Sequence, residues 1–235
     1  MEVSPTGFRR INLVHAPSWV PPAFALEVDA QQAALSDFAR HGVICPPAVE
    51  RSVPRRRGEY LAGRRAARAA LLEHGVAACH IGTGGDRAPV WPEGYIGSIT
   101  HSVRMAAAVA CPAGAVRGIG IDIEHVDGSD ALDAIGHSVV NDAERMQLTD
   151  LAGAHGWPVA LVIAFSAKES FYKATARAVG RLFDFDAVRL ASCSADEGWL
   201  DFESTTVLSG TFSPGKRFRL GFTTWADTVM TSCVW

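Results

Sequence analysis

Tyr60, Leu61, Arg64, Ala67, Arg68, Leu71 and Leu72 follow one another at helical spacing. They predict a helix that grows out of the basic segment 51–68 and stops at Gly75. A loop rich in glycine and proline is expected over 82–94. Strand-like stretches follow at 96–102, 105–111 and 116–124, and Pro112-Ala113-Gly114 turns the chain between the last two. The stretch 125–160 reads as mixed, with a helix expected near 141–154. A firmer helix is expected from Ser166 to about Val179. Toward the C-terminus, apolar and polar residues alternate over 199–203, 205–212, 217–225 and 228–235, which predicts antiparallel strands. Residues 1–50 hold prolines and short apolar runs without a clear pattern. Each half thus contributes one long helix and several strands, an α+β arrangement, with no sequence repeat and no low-complexity linker between the halves.

The most informative strand is Gly118-Ile119-Gly120-Ile121-Asp122-Ile123-Glu124. Alternation turns the three isoleucines to one face and sets Asp122 and Glu124 on the other, beside Gly118 and Gly120. Two readings stand. Either this is a half-buried strand with a solvated polar face, or the carboxylates converge on a hard cation and the glycines leave room for a bulky ligand. The segment Phe165-Ser166-Ala167-Lys168-Glu169-Ser170-Phe171-Tyr172-Lys173 is equally two-sided. Ser166 and Glu169 fit a capping box at a helix start, and Glu169 and Lys173 fit an ordinary i,i+4 ion pair. The same spacing also lets an acid and a cation approach one ligand, the acid at a metal and the lysine at phosphate charge.

In Gly97-Ser98-Ile99-Thr100-His101-Ser102 the hydroxyls lie on one strand face and His101 on the other. No G-x-S-x-G elbow supports a serine nucleophile, so a phosphate or nucleotide contact is the better functional reading. Arg55, Arg56, Arg57, Arg64, Arg65 and Arg68 cluster in and before the first helix. Some of them are simply solvated, and others suit a bidentate clamp on phosphate.

Composition narrows the field. The 235 residues are 48% hydrophobic and 20% charged with a net charge of -3, which argues against wholesale nucleic-acid binding. No apolar run reaches the roughly 20 residues of a membrane helix, and the N-terminus lacks a secretory pattern, so a cytoplasmic protein is expected. The five cysteines are scattered without a C-x-x-C pair, and the eight histidines show no ligand spacing. Any metal is therefore expected on oxygen ligands.

Taken in order, five segments resemble the larger, single-chain 4′-phosphopantetheinyl transferases, in the branch that includes the enterobactin-synthesis enzyme and its actinobacterial relatives. These are Arg56-Arg57-Gly58-Glu59-Tyr60-Leu61-Ala62-Gly63-Arg64, Pro89-Val90-Trp91-Pro92, residues 97–102, residues 120–124 and residues 165–173. The resemblance implies two similar lobes, 1–115 and 116–235, in a pseudo-twofold arrangement with coenzyme A in the cleft between them. It implies transfer of the phosphopantetheine arm to a serine of an acyl or peptidyl carrier protein, releasing 3′,5′-ADP. Asp122, Glu124 and Glu169 would hold Mg²⁺ (Mn²⁺ as a substitute), and Glu169 would serve as base, directly or through water. Lys173, with Lys168 nearby, would stabilise pyrophosphate charge. Thr100 and His101 would contact nucleotide phosphates, Arg56 and Arg64 would hold the 3′-phosphate, and Arg87 would lie near the nucleotide. Family analogy also implies a monomer.

Residues 138–151, through Val139, Val140, Met146 and Leu148, are an expected apolar surface for the carrier protein. The alternatives are a non-catalytic coenzyme A or carrier-protein binding module of the same fold, a nucleic-acid binder using the arginine helix, and a different Mg²⁺ phosphotransferase or hydrolase. No P-loop or kinase glycine motif supports the last.

Overall fold

A computed structural model describes residues 7–29, 33–77, 79–85, 87–126 and 139–235. The chain forms two compact units.

The first unit comprises Met1–Asn12 and Trp19–Val116. Its elements are β1 (Arg9–Ile11), β2 (Ala23–Glu27), α1 (Leu35–Arg40), α2 (Pro47–Glu50), α3 (Pro54–Leu72), β3 (Gly82–Thr83), β4 (Pro89–Val90), β5 (Tyr95–His101) and β6 (Met105–Pro112). The main sheet has the order β1-β2-β6-β5, antiparallel throughout, while β3 and β4 pair separately. Proline in the first turn starts α3, where its missing N–H costs nothing. The helix lies close on the sheet because small residues meet there. Ala62, Ala66, Ala67 and Ala70 of α3 share one buried cluster with Ala106, Ala108 and Ala110 of β6. A side chain at Gly63 would come within 3.0 Å of Ile99.

The second unit comprises Leu13–Ser18 and Arg117–Trp235. It contains β7 (Ile119–His125), α4 (Asp142–Gln147), α5 (Thr149–His155), α6 (Trp157–Val179), β8 (Val188–Ser194), β9 (Trp199–Ser204), β10 (Arg217–Trp225) and β11 (Thr228–Val234). Its five-stranded antiparallel sheet has the order β7-β11-β10-β9-β8. Phe171 of α6 meets two rings edge to face, Phe218 of β10 at 5.2 Å and Phe212 at 6.1 Å between centroids. The short Leu13–Ser18 strap lies on β10 and β11: Ser232 Oγ donates to the Val14 carbonyl at 3.5 Å, and His15 Nε2 bonds the Glu197 carbonyl at 2.7 Å. A Cβ at Gly221 would sit 1.8 Å from the Val14 carbonyl oxygen, so only glycine admits the strap there.

Three expectations from the sequence need correction. The second long helix begins at Trp157, nine residues before Ser166, behind Gly156 at φ 85° and with Pro158 in its first turn. Ser166 is therefore mid-helix and buried, bonded to Thr231 Oγ1 at 2.9 Å, and does not cap anything. The apolar run 157–165 hid the helix because it is hydrophobic nearly all round, as an element packed on several sides must be. Second, 205–212 is a loop with only a Ser209–Phe212 bridge, its Leu208 and Phe212 pegged into the core. Third, Gly118 just before β7 and Gly120 within it make room for α6 rather than for a ligand. A Cβ at Gly118 would lie 2.0 Å from the Ala174 carbonyl oxygen, and one at Gly120 would lie 2.1 Å from that of Ser170.

Candidate active site

Because Gly118 and Gly120 let α6 settle on β7, the acidic face of the strand meets the middle of the helix. Asp122 is only 3% exposed, and Lys173 Nζ donates to its Oδ1 at 2.5 Å. Glu124, two residues along the same face, is half-buried. Glu169 lies one helical turn before Lys173 and is also half-buried. Burial pushes its carboxyl above the ordinary range and the nearby Asp122 adds to this, while Lys173 pulls it back down. Asp122, Glu169 and Lys173 thus form one electrostatic group. Two serine side chains fix its helix to β11: Ser166 bonds Thr231 Oγ1, and Ser170 bonds Thr231 Oγ1 at 2.7 Å and donates to its carbonyl at 3.1 Å.

The donor chemistry of Asp122, Glu124 and Glu169 is all oxygen, which suits a hard divalent cation. Among the described residues, no group of three or more His, Cys, Asp or Glu is already gathered as a metal cluster. In the form described, the Asp122 Oδ1 atom is engaged by the Lys173 ammonium.

Lys168, the immediate neighbour of Glu169, turns elsewhere. It is 3% exposed and donates to Glu144 Oε1 at 2.8 Å, to the Val139 carbonyl at 2.7 Å and to the Phe185 carbonyl at 3.2 Å. Burial lowers its affinity for a proton and the Glu144 carboxylate offsets this.

In the first unit a second polar group forms at the start of α3. Arg56 donates to His101 Nε2 at 2.6 Å and to Glu59 Oε2 at 3.4 Å, while Arg55 donates to Glu59 Oε1 at 2.9 Å. An arginine can only donate, so His101 Nε2 is the acceptor and the ring proton sits on Nδ1, facing Glu59 at 3.6 Å. Both Arg56 and His101 are exposed, and Glu59 is the buried carboxylate that aligns them.

The remaining expected nucleotide contacts, Arg64, Thr100 and Arg87, are placed differently from Arg56 and His101. Arg64 is buried, with its fork spent on the Ile81 carbonyl at 2.8 Å, the Gly82 carbonyl at 2.9 Å and Thr83 Oγ1 at 2.8 Å. Its guanidinium stacks 4.4 Å over the Tyr60 ring, so it ties α3 to β3. Thr100 is buried on the strand face opposite His101. Arg87 is exposed in the β3–β4 turn at φ 67°.

Of the expected apolar partner surface, Val139, Val140 and Leu148 are core, Met146 is 77% exposed, and Ser138 lies outside the described residues. Sequence reasoning passed over Glu59 and Glu144. Both had a signal: Glu59 follows Arg55 and Arg56 at i+4 and i+3, and Glu144 completes a capping box with Asn141.

Both units match models of one protein family. Residues 46–111 match the 4′-phosphopantetheinyl transferase N-terminal domain, and residues 118–223 match the 4′-phosphopantetheinyl transferase superfamily. Enterobactin synthase component D of Salmonella typhi is 37% identical over 163 residues, covering 68% of this chain and 66% of that protein. The 4′-phosphopantetheinyl transferase PptT of Mycobacterium tuberculosis is 35% identical over 172 residues, covering 72% of this chain and 73% of that protein. The 4′-phosphopantetheinyl transferase Npt of Nocardia iowensis is 33% identical over 180 residues, covering 74% and 78%. The chain spans slightly less than two thirds of the Salmonella protein. It belongs to the 4′-phosphopantetheinyl transferase superfamily.

Proposed function

We propose that this protein moves the phosphopantetheine arm of coenzyme A onto a serine of an acyl or peptidyl carrier protein. The observation that carries the reading is the meeting of Asp122, Glu169 and Lys173 on one strand–helix contact, in a chain of this superfamily. In the reaction, the serine oxygen bonds to the β-phosphorus of the coenzyme pyrophosphate and the bond to the leaving 3′,5′-ADP breaks. The serine proton passes to Glu169, whose affinity for a proton is raised by burial as suits a base. Lys173 neutralises charge that develops on the pyrophosphate and the leaving group. No protein nucleophile is needed.

Asp122, Glu124 and Glu169 are the residues proposed to hold Mg²⁺ or Mn²⁺, which would supply neutralisation of the pyrophosphate. Arg56 and His101 are proposed for the 3′-phosphate, and Arg87 for the nucleotide. Arg64 and Thr100 act there indirectly, through the positions of α3 and β5. The finer expectations from the family belong to the same proposal. They are lobes at 1–115 for nucleotide contacts and 116–235 for the metal strand and catalytic helix, in a pseudo-twofold arrangement around the coenzyme. They also include a monomer that works in the cytoplasm. No helix among the described residues is long and apolar enough to cross a membrane.

The test is intact-mass spectrometry of an apo-carrier protein incubated with coenzyme A, Mg²⁺ and this protein. A gain of one phosphopantetheine mass, lost with EDTA and with Asp122→Ala, is expected. No gain on any of several acyl and peptidyl carriers, with coenzyme A still bound, would favour the non-catalytic binding module instead.

A further inference from the structure

Lys168 carries three N–H donors and, in this fold, meets three acceptors: Glu144 Oε1, the Val139 carbonyl and the Phe185 carbonyl, at 2.8, 2.7 and 3.2 Å. Its donors are all used inside the second unit, and none remains for a phosphate. Glu144 is saturated in the same way. Besides Lys168, its Oε1 accepts the Leu190 amide at 2.9 Å and its Oε2 accepts the Asn141 amide at 3.1 Å. Both residues are 3% exposed. One buried ion pair therefore ties α6 to the start of α4, to β8 at Leu190 and to the chain at Val139 and Phe185.

The direction of that tie matters. Each residue advances a helix by about 100°, so Lys168 lies roughly 200° around from Ser166, and Ser170 lies about 40° from Ser166. Ser166 and Ser170 fasten α6 to Thr231, and Lys168 fastens its far side. Glu169 and Lys173, at about 300° and 340° on the same wheel, project from the sector between the two fixings. A helix held on one side can roll; a helix held on both sides cannot.

We propose that Glu144 and Lys168 are a positioning pair. They set the roll of α6 and so aim Glu169 and Lys173 at Asp122, and Lys168 is not a coenzyme ligand. This rests on the function proposed above for Glu169 and Lys173.

The experiment compares wild type with Glu144→Gln and Lys168→Met in carrier-protein transfer kinetics. Hydrogen–deuterium exchange across α6 and thermal melts are recorded on the same samples. The expected result is a fall in kcat of at least about 10-fold for both variants, as misplacement of reacting groups gives. KM for coenzyme A should stay within about 2-fold, and amide exchange around 165–173 should quicken below the melting transition. Lys168→Arg, which keeps charge and donors, should restore most of kcat. If one of the two pair-breaking variants fails to fold, the other carries the test by itself, since each removes one partner of the same ion pair. A large rise in KM for coenzyme A with Lys168→Met alone would make Lys168 a ligand and overturn the proposal. Unchanged kcat and unchanged exchange in folded variants would overturn it as well. If wild type transfers nothing, the functional reading fails by itself, and α6 exchange in the variants still decides the positioning claim.

Discussion

The ammonium of Lys173 sits 2.5 Å from Oδ1 of Asp122, a carboxylate almost wholly withdrawn from solvent. The lysine reaches this carboxylate from a helix that two glycines allow to come close. Lys173 is itself partly exposed, and in the proposed reaction it would exchange this carboxylate for substrate phosphate.

Replacing Lys173 with methionine should lower kcat by about 100-fold, the usual scale for loss of one charge-stabilising donor. The pH profile should move too. Lys173 is the group that lowers the Glu169 pKa, whereas burial and Asp122 both raise it. Without the cation, the acid limb of kcat/KM should shift to higher pH. An unshifted limb would remove Glu169 from the role of base.

Glu169 also links stability to pH. Its folded pKa is raised above the ordinary 4.5, so the folded chain binds this proton more tightly than the unfolded chain. Its contribution to stability is full below pH 4.5 and is lost as pH rises through the raised value. In EDTA, Glu169→Gln should therefore melt higher than wild type at pH 8, and the difference should shrink toward pH 4.5. Equal melting curves at both ends of this range would contradict the raised value.

Gly120→Ala should destabilise by about 1–3 kcal/mol or more, because its Cβ would fall 2.1 Å from the Ser170 carbonyl oxygen. Gly153→Ala is the control. It lies in α5 with nothing within 4 Å of an added Cβ, and should stabilise by about 0.5–1 kcal/mol. Urea unfolding of both variants measures the contrast.

Met146 is the exposed apolar residue of its helix, beside Arg145, whose guanidinium lies 5.9 Å over the Trp157 ring. An acidic carrier protein would suit this pairing of apolar and basic groups. Met146→Glu should raise KM for the carrier protein several-fold and leave coenzyme A binding unchanged. Unaltered carrier kinetics would exclude this surface.

Burial pushes the thiols of Cys111 and Cys233 up to about 11 and about 12. Iodoacetamide at pH 8 should leave both unmodified in the folded protein and label both in urea, as peptide mass spectrometry would read.

The long elements were legible where pattern and period agreed. The first helix and the strands of β5, β6, β10 and β11 lie within a few residues of their expected places. Strands β1 and β2 were not, since Arg9–Ile11 is too short to show alternation and four of the five residues of Ala23–Glu27 are buried, which erases it. Spacing put Asp122 and Glu124 on one strand face and Glu169 and Lys173 on one helix face but left two readings of each, and only the contact of α6 with β7 brings Asp122, Glu169 and Lys173 together. The role of Lys168 was not legible, because adjacent positions on a helix diverge and only tertiary contact reveals that it pairs with a glutamate 24 residues earlier. The partners of Arg64 were hidden for a related reason: a guanidinium fork that suits phosphate also suits the three protein acceptors it meets.

The strap at Leu13–Ser18 has a bearing on how this protein could be taken apart. The second unit borrows those six residues from near the other end of the chain, so no single cut in the sequence releases it whole. A gene fragment that starts at Arg117 would encode a sheet whose Gly221 backbone is stripped of its cover. The smallest heritable piece that restores the cover is one in which the strap has been rejoined, by circular permutation or by supplying the N-terminal segment as a separate chain.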